Sequence, residues 1–200
     1  MGSERGIRDR FIGLSEGSHT VVFTATNVSG SGTDTLSFTV DTVDPTVAIS
    51  SPTNGSITSP NVTLNFTAAD ATTSVTGTTC QLDAGAATAC TTGQAYSGLA
   101  AGSHTLTVEA TDEAGNTGSD AVTFSVAAIP TVSISAPANG SVSGSASVPV
   151  SFTTTGAPTS VTCELDSGGA APCTSPETFS GLSEGSHTVD VVASNVAGSG

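Results

Sequence analysis

One eight-residue segment recurs through the chain and reveals its architecture: Gly98-Leu99-Ala100-Ala101-Gly102-Ser103-His104-Thr105. Closely related copies begin at Gly13 and at Gly181, so successive copies start 85 and 83 residues apart. Helical solenoid repeats have much shorter periods, of about 33 to 47 residues. The longer period predicts one small domain per copy, with the domains arranged in tandem.

Alternation of apolar and polar residues follows each copy. After the middle copy, Leu106, Val108 and Ala110 fall on one face, with polar residues between them. The same positions in the other copies are Val21, Phe23, Ala25, Val189, Val191 and Ala193. A period of two that is rich in β-branched residues predicts a half-buried strand.

The turn before this strand resembles the corner that opens the sixth strand of immunoglobulin-like and fibronectin type III sandwiches. In those folds a buried ring anchors the corner by hydrogen bonds to nearby backbone. The resemblance assigns this structural role to His19, His104 and His187. Because the three histidines lie about one domain apart, they cannot converge on one metal or one active site.

Composition favours strands over helices. The chain has no Trp, one Tyr and seven Phe among its 200 residues. Thr, Ser, Val, Ala and Gly dominate, which is typical of strands, turns and cores of small β-branched side chains. No segment shows sustained helical periodicity, and none is apolar enough to insert into a membrane.

The distribution of charge excludes several partners. The net charge is −14, and the only basic residues are Arg5, Arg8 and Arg10. Nucleic acids and anionic membrane surfaces are excluded as partners because both require clustered cations. An acidic surface suits an extracellular protein and a protein that binds divalent cations.

The repeats divide the chain into four predicted segments. Residues 1–10 are a leader that is non-native or wrongly assigned. Residues 11–43 form the C-terminal part of one repeat, residues 44–127 a complete repeat of about seven short strands, and residues 128–200 a repeat that lacks its last strand. The predicted fold is all-β: tandem Ig-like or fibronectin III-like antiparallel Greek-key sandwiches with incomplete ends.

The two incomplete ends match each other. Residues 11–32 and 179–200 are identical at 16 of 22 positions. One interpretation is that the chain is a piece of a longer array. The alternative is head-to-tail complementation, in which the N-terminal strands of one subunit complete the C-terminal sandwich of an adjacent subunit.

The four cysteines form two local pairs, Cys80 with Cys90 and Cys163 with Cys173, and each pair is ten residues apart. Gly85 and Gly168 lie at the midpoints, so a hairpin centred on the glycine would place each pair directly opposite across two strands. Zinc knuckles are absent. The symmetry therefore favours two local disulfides, and disulfides indicate a secreted, surface or periplasmic location.

A longer motif resembles bacterial Ig-like (Big-type) repeats. It joins Cys-x-Leu-Asp at residues 80–83, the Gly-Leu-x-x-Gly-Ser-His-Thr segment, and Asp-x-Ala-Gly-Asn at residues 112–116. Such repeats are strung in large numbers through adhesins that are secreted or displayed at the cell surface. They serve as stalks, spacers, ligand binders and enzyme accessories, so the resemblance implies the fold and the location more strongly than the function.

Acidic loops are the candidate binding site. In an Ig-like sandwich the loop after the second strand and the loop before the last strand lie beside the entering linker. For the complete repeat this gathers two linker acids with four loop residues: Asp41, Asp44, Asp70, Asp112, Glu113 and Asn116. Calcium takes six to eight oxygen ligands of this kind.

The resemblance supports calcium as the candidate cofactor, because interdomain calcium stiffens related adhesin arrays. The third repeat offers no matching acids, so only one junction is predicted to bind calcium strongly. The alternative is a solvated acidic rim in which Asp112 and Asn116 merely shape a turn.

The predicted function is mechanical. No catalytic constellation is found in the sequence, so the chain is not expected to be an enzyme. We expect a spacer that extends a distal binding domain of an adhesin, with neighbouring Ig-like repeats as its partners. The alternatives are a filament subunit joined by strand complementation and a carbohydrate-binding accessory module. The last is disfavoured because sugar binding usually needs exposed aromatic rings, and Tyr96 is the only Tyr or Trp side chain.

Overall fold

The computed structural model of the chain describes residues 10–200, and the described part consists of seventeen β-strands joined by turns and loops. The predicted leader, residues 1–10, lies outside the described residues except for Arg10. No helix in the described part is long and apolar enough to cross a membrane.

The first unit is a two-stranded hairpin. Strands β1 (Gly17–Asn27) and β2 (Gly30–Val40) pair antiparallel from Gly17 opposite Val40 to Asn27 opposite Gly30. No further strand of the described part joins this sheet. Its apolar side chains are therefore uncovered: Phe23 is 56% exposed and Leu36 is 55% exposed.

The second unit is a two-sheet sandwich of eight strands. They are β3 (Thr46–Ser51), β4 (Ile57–Thr58), β5 (Val62–Ala69), β6 (Val75–Leu82), β7 (Thr88–Ala89), β8 (Gln94–Tyr96), β9 (Gly102–Asp112) and β10 (Thr117–Val126). One sheet has the order β3-β5-β8 and the other the order β4-β10-β9-β6-β7. The predicted all-β class with tandem Ig-like antiparallel sandwiches is confirmed. Strand β4, which pairs parallel with β10, was not predicted, because a strand of two residues is too short to show alternation in the sequence.

The core of the second unit lies between these sheets. Leu64 from one sheet meets Leu106 and Val108 from the other, and all three are fully buried. Each such side chain stabilises the fold by about 1.5–3 kcal/mol relative to an exposed one. The carboxylate of Asp120 in β10 accepts the N–H of Ile49 in β3, which ties the two sheets together at their edge.

The third unit repeats this plan with seven strands. They are β11 (Thr131–Ala136), β12 (Ser147–Thr155), β13 (Ser160–Leu165), β14 (Ala171–Pro172), β15 (Glu177–Ser180), β16 (Val189–Asn195) and β17 (Gly198–Ser199). The sheets have the orders β11-β12-β15 and β14-β13-β16-β17. Strand β17 pairs with β16 only at Ser194 and Asn195, so the rest of that edge of β16 has no neighbouring strand in the described chain.

Both predicted cysteine pairs are disulfides in the structure, with Cα atoms 5.7 Å apart in each. The predicted placement directly opposite was wrong. Cys80 lies opposite Thr88, so it reaches Cys90 diagonally on the same face of the hairpin. The hairpin is centred on Ala84, one residue before the expected glycine, because Leu82 accepts the N–H of Gly85 in the turn. The third unit has the same offset, with Cys163 opposite Ala171.

Salt should stabilise this chain. Residues 11–200 contain neither Lys nor Arg, so at pH 8 there are almost no attractive ion pairs for salt to screen, and repulsion between carboxylates dominates. We expect the Tm to rise by several degrees between roughly 10 mM and 500 mM NaCl in the presence of a chelator. Thermal unfolding followed by circular dichroism measures this, and a Tm that falls with salt would contradict the expectation.

Candidate junction site and histidine corners

Three acidic loops converge where the chain enters the second unit. Asp41 lies in the linker after β2, Asp70 directly follows β5, and Asp112 ends β9. Each offers a carboxylate oxygen, and these oxygens all lie within 4.8 Å of one another. Asp112 is only 2% exposed, and the other two are half-buried. The folded sheets thus bring together side chains from three distant parts of the sequence.

Local turns hold two of these carboxylates in place. Asp70 Oδ1 accepts the N–H groups of Thr72 and Thr73 at 2.8 and 2.9 Å, and these two bonds, that of Thr73 first, lower the pKa of Asp70. Asp112 Oδ1 accepts the N–H groups of Gly115 and Asn116 at 2.7 and 2.9 Å. Both are turns in which an aspartate side chain bonds to backbone a few residues later.

The linker is bound to both loops. Asp41 Oδ2 accepts the hydroxyl of Thr73, which joins the linker to the loop after β5. Asn116 Nδ2 donates to the carbonyl of Asp41 at 3.4 Å and to Asp112 Oδ2 at 2.8 Å. The linker therefore cannot move without breaking bonds to two loops of the second unit.

The structure brings together only part of the predicted set. Asp41, Asp70 and Asp112 form the group, and Asn116 touches it through its amide nitrogen. Asp44 lies outside the group and is exposed, and Glu113 is exposed as well. Next to Asp44, Pro45 is buried against β10, where a Cβ on Gly118 would collide with the Pro45 carbonyl oxygen.

At the junction between the second and third units, the side-chain amide of Asn195 lies where the first junction has carboxylates. Asn195 ends β16 as Asp112 ends β9, and Gly156 follows β12 as Asp70 follows β5. Asn195 Nδ2 donates to the carbonyls of Ala128 and Gly156 at 2.7 and 2.8 Å. One uncharged NH₂ group thus joins the linker to the loop, in the place where the first junction has carboxylates.

The first junction concentrates negative charge, because the carboxylates of Asp41, Asp70 and Asp112 lie close together. Three carboxylates at this separation repel one another unless a cation or a proton lies between them. Asp70 Oδ2 is a buried oxygen with no hydrogen-bond partner in the described part of the chain. Hard oxygens with one buried, unpaired acceptor fit a divalent cation of the calcium type.

In the histidine corner of the second unit, both ring nitrogens of His104 form hydrogen bonds. His104 Nε2 donates to the carbonyl of Ala100 at 2.8 Å, and Nδ1 donates to Asp83 Oδ2 at 2.8 Å. Asp83 Oδ1 accepts the N–H of Thr105 at 2.8 Å. Asp83, at the tip of the β6–β7 hairpin, therefore orients the ring and also binds the backbone near the start of β9.

The third unit has the same corner. His187 Nε2 donates to the carbonyl of Ser183 at 2.9 Å, and Nδ1 donates to Asp166 Oδ2 at 2.5 Å. Asp166 Oδ1 accepts the N–H of Thr188 at 2.7 Å. In the first unit, His19 Nε2 donates to the carbonyl of Ser15 at 2.7 Å.

This geometry requires a protonated ring. A carbonyl and an ionised carboxylate both accept, so both ring nitrogens must carry hydrogen to satisfy them. The pKa of His104 is raised, most by the bond to the Ala100 carbonyl and next by the bond to Asp83. The pKa of His187 is also raised, and there the bond to Asp166 is the largest cause. The pKa of Asp83 is lowered, first by the N–H of Thr105 and then by His104.

Sequence reasoning missed Asp83 and Asp166 as partners of the histidines. A signal was present, because each aspartate precedes its histidine by 21 residues and follows a Cys-x-Leu segment in both repeats. Tyr96 is half-buried, packs against the core and has its pKa raised by burial, so it is poorly placed to stack on a sugar ring.

No family model matches the chain. Halomucin from Haloquadratum walsbyi is 40% identical over 100 residues, which are 48% of this chain and 1% of Halomucin, so the chain spans only a very small part of that protein. The fibronectin(III)-like modules of Clostridium thermocellum CbhA are 20% identical, with a TM-score of 0.39 over 77% of this chain and 88% of that chain. The Protocadherin GammaB4 extracellular domain is 15% identical, with a TM-score of 0.41 over 91% of this chain and 40% of that chain.

The corner makes stability dependent on pH. A raised histidine pKa stabilises the fold below about pH 6.5, and this contribution is lost as the pH rises through the raised value. A lowered aspartate pKa stabilises the fold above about pH 4, and this contribution is lost in stronger acid. We therefore expect greatest stability between about pH 4 and 6.5 and a decline towards pH 8.5.

Asp83→Asn should reduce this dependence in the second unit, because the bond from His104 to the Ala100 carbonyl remains. At pH 5.5 we expect a loss of about 0.5–1 kcal/mol, the value for a largely exposed ion pair, and a smaller loss at pH 8.5. Urea unfolding at the two pH values measures the difference. Glu109→Gln is the matched control. It removes an exposed carboxylate from β9 that lies five residues along the strand from His104. Equal losses at both pH values would contradict the protonated corner.

Proposed function

We propose that this chain is a spacer module of an extracellular repetitive protein, in which tandem sandwiches hold a distal binding domain away from its base. The observation that carries the proposal is the way each linker is fastened. Asn116 binds the first linker at Asp41, and Asn195 binds the second at Ala128 and also holds a neighbouring loop. Linkers that are hydrogen-bonded to the adjacent sandwich favour a stiff array over domains that move independently.

The prolines of the linkers add to this stiffness. Pro45 and Pro130 are both buried, and each approaches a glycine at the end of the adjacent sheet. A Cβ on Gly118 would collide with the Pro45 carbonyl, and a Cβ on Gly200 would collide with the Pro130 carbonyl. The contact is backbone against backbone, which supports a fixed angle between linker and sandwich.

Several features support an extracellular setting. The β6–β7 and β13–β14 hairpins are each closed by a disulfide, and disulfides persist in oxidising compartments. The acidic surface without Lys or Arg in residues 11–200 keeps the molecules apart in solution. The similarity to a segment of Halomucin, which is a mucin by its name, is consistent with this location.

Calcium at the first junction is part of the proposal. Asp41, Asp70 and Asp112 would hold the ion, with the unpaired Oδ2 of Asp70 as one ligand. A bound calcium ion would supply the positive charge that relieves the repulsion among the three carboxylates. The second junction supports this reasoning, because there the amide of Asn195 supplies the hydrogen-bond donors and no acids face one another.

We propose no catalytic role for the chain. General acid–base chemistry needs a ring nitrogen within reach of a substrate. Both nitrogens of His104 and of His187 are instead bonded within the corner. This supports a structural role for the histidines.

Calcium binding can be tested with Asp112→Asn. This variant places in the second unit the residue that Asn195 provides in the third, and it removes the acceptor that Asp112 Oδ2 offers to Asn116 Nδ2. Wild-type chain should gain about 2.7 kcal/mol in stability at a calcium concentration of 100 times Kd, and the variant should gain almost nothing. Isothermal titration calorimetry and Tm with calcium or chelator measure this. Glu113→Gln, an exposed acid outside the group, is the control. If wild-type stability is the same in calcium and in chelator, the metal proposal is wrong while the spacer proposal stands.

Junction stiffness can be tested with Asn195→Ala. Small-angle scattering of the wild-type chain should give an extended particle. The variant should give a broader distribution of shapes, because the linker loses its bond at Ala128 and the adjacent loop loses its bond at Gly156. Asn139→Ala, in an exposed turn of the third unit, is the control. A compact wild-type particle with its units folded against one another would overturn the spacer proposal.

A further inference from the structure

We propose that Asn61 is an N-glycosylation site, and that the first sugar of its glycan packs into a polar pocket of the second unit. Residues 61–63 are Asn-Val-Thr, which matches the Asn-x-Ser/Thr pattern of glycosylated surface segments in secreted proteins. The proposal rests on the extracellular setting proposed above, because the glycan is added on the secretory route. The pattern alone is a weak signal in a chain rich in Ser and Thr, so the surroundings of Asn61 decide.

The side-chain amide of Asn61 is held with its nitrogen unpaired. Asn61 immediately precedes β5 and is exposed, and its Oδ1 accepts the N–H of Gly98 at 3.1 Å. A backbone N–H needs an acceptor opposite it, so this bond places the oxygen there and leaves Nδ2 on the other side of the amide. Nδ2 has no hydrogen-bond partner among the described residues. A glycan on Nδ2 therefore leaves the bond to Gly98 intact.

Asn61 lines an open pocket of about 280 Å³ beside β4 and the start of β5. The residues around it include Ser51, Ser56, Thr58 and Thr63, all of which carry hydroxyl groups, and none of the lining residues is charged. The volume lies near the lower end of the range for ligand sites, about 300 Å³, which suits a single sugar ring. Hydroxyl groups both donate and accept hydrogen bonds, so they match the neutral hydroxyls of a sugar.

Two hydroxyls at this pocket lack partners. Ser56 Oγ and Thr58 Oγ1 are buried, and neither forms a hydrogen bond in the described part of the chain. Their backbone is fixed to β10, because the carbonyls of Ser56 and Thr58 accept the N–H groups of Ser125 and Ala127 at 2.8 and 3.0 Å. A buried hydroxyl without a partner destabilises a fold. Both residues line the pocket, so a rotation about χ1 can bring either hydroxyl to a sugar there.

The other two Asn-x-Ser/Thr segments lack this combination. Asn65-Phe66-Thr67 lies within β5, and Asn65 is exposed but does not line the pocket. Residues 27–29, Asn-Val-Ser, form the turn between β1 and β2, where the described chain has no buried hydroxyl without a partner. Only at Asn61 do the sequence pattern and the unpaired hydroxyls coincide.

The third unit provides an internal comparison. Val148 of β12 pairs with Phe179 as Val62 of β5 pairs with Tyr96, so residues 147–149 match residues 61–63. Residues 147–149 are Ser-Val-Pro, which contain neither the acceptor Asn nor the following hydroxyl. The two sandwiches thus share a fold, and the pattern at this position belongs to the second unit alone.

The modification is a group transfer from a lipid-linked saccharide, whose anomeric carbon is bonded to a phosphate or pyrophosphate. Nδ2 of Asn61 attacks the anomeric carbon, and a C–N bond forms as the C–O bond to the phosphate breaks. The lipid phosphate leaves with the electron pair, and one amide proton passes to a base of the transferase. The exposed Thr63 supplies the hydroxyl that the pattern requires two residues after Asn.

The first test is mass spectrometry of the full chain, secreted behind a signal peptide by cells that contain an oligosaccharide transferase. We expect a glycan on Asn61. Thr63→Val keeps a β-branched residue on the strand and should abolish this glycan, whereas Thr63→Ser should retain it. Asn65→Gln, on the same strand, is the matched control and should leave the glycan on Asn61 unchanged. A wild-type chain without a glycan on Asn61 would overturn the proposal and leave the spacer function untouched.

The second test asks whether the first sugar occupies the pocket. Chains with Asn27→Gln and Asn65→Gln can be modified only at Asn61, and an endoglycosidase trims that glycan to its first sugar. Compared with the same chain made without a transferase, calorimetry should show a Tm of the second unit about 4–8 °C higher, as expected when one or two hydrogen bonds are gained. Ser56→Ala with Thr58→Val should abolish this gain while the sugar remains. An equal gain in that variant, or none in the parent chain, would overturn the proposed packing.

Discussion

Burial of one face of β9 is the interaction on which the second unit depends. Leu106, Val108 and Ala110 are fully buried, and β9 lies between β10 and β6 in the larger sheet. Both the histidine corner and the acidic junction of the second unit are positioned by this strand. Its first residues are held by the aspartate–histidine corner, and its last residue is Asp112 at the junction. A displacement of β9 along its axis would therefore disturb the corner and the junction together.

The sequence was informative wherever a pattern repeats at a fixed interval. Alternation on β9 and the recurring glycines were enough to predict tandem sandwiches, because half-buried strands and corners leave a periodic trace. The paired cysteines could be assigned for the same reason. Their diagonal placement could not, since it depends on a turn that is centred on Ala84 rather than on Gly85. A shift of one residue in a hairpin leaves no mark on the composition.

The candidate site shows the same limit. That Asp41, Asp70 and Asp112 meet follows from where loops lie at the end of an Ig-like sandwich, so the sequence could predict it. Asp44 lies outside the group, beside Pro45, whose close approach to Gly118 is a contact between distant backbone segments that no local pattern reveals. Asp83 was missed because its role is visible only when the hairpin tip is seen beside His104. Tertiary contacts of this kind have no local pattern.

The small size of the disulfide loops has a mechanical consequence. Cys80 and Cys90 are only 10 residues apart, so the bridge encloses a small part of the repeat. If a pulling force unfolds the segment from residue 44 to 127, the bridge withholds only about a tenth of its extended length, at roughly 3.5 Å per residue. The covalent link therefore protects one hairpin while leaving the repeat almost fully extensible. An array of such repeats would lengthen under tension while each disulfide hairpin stays closed.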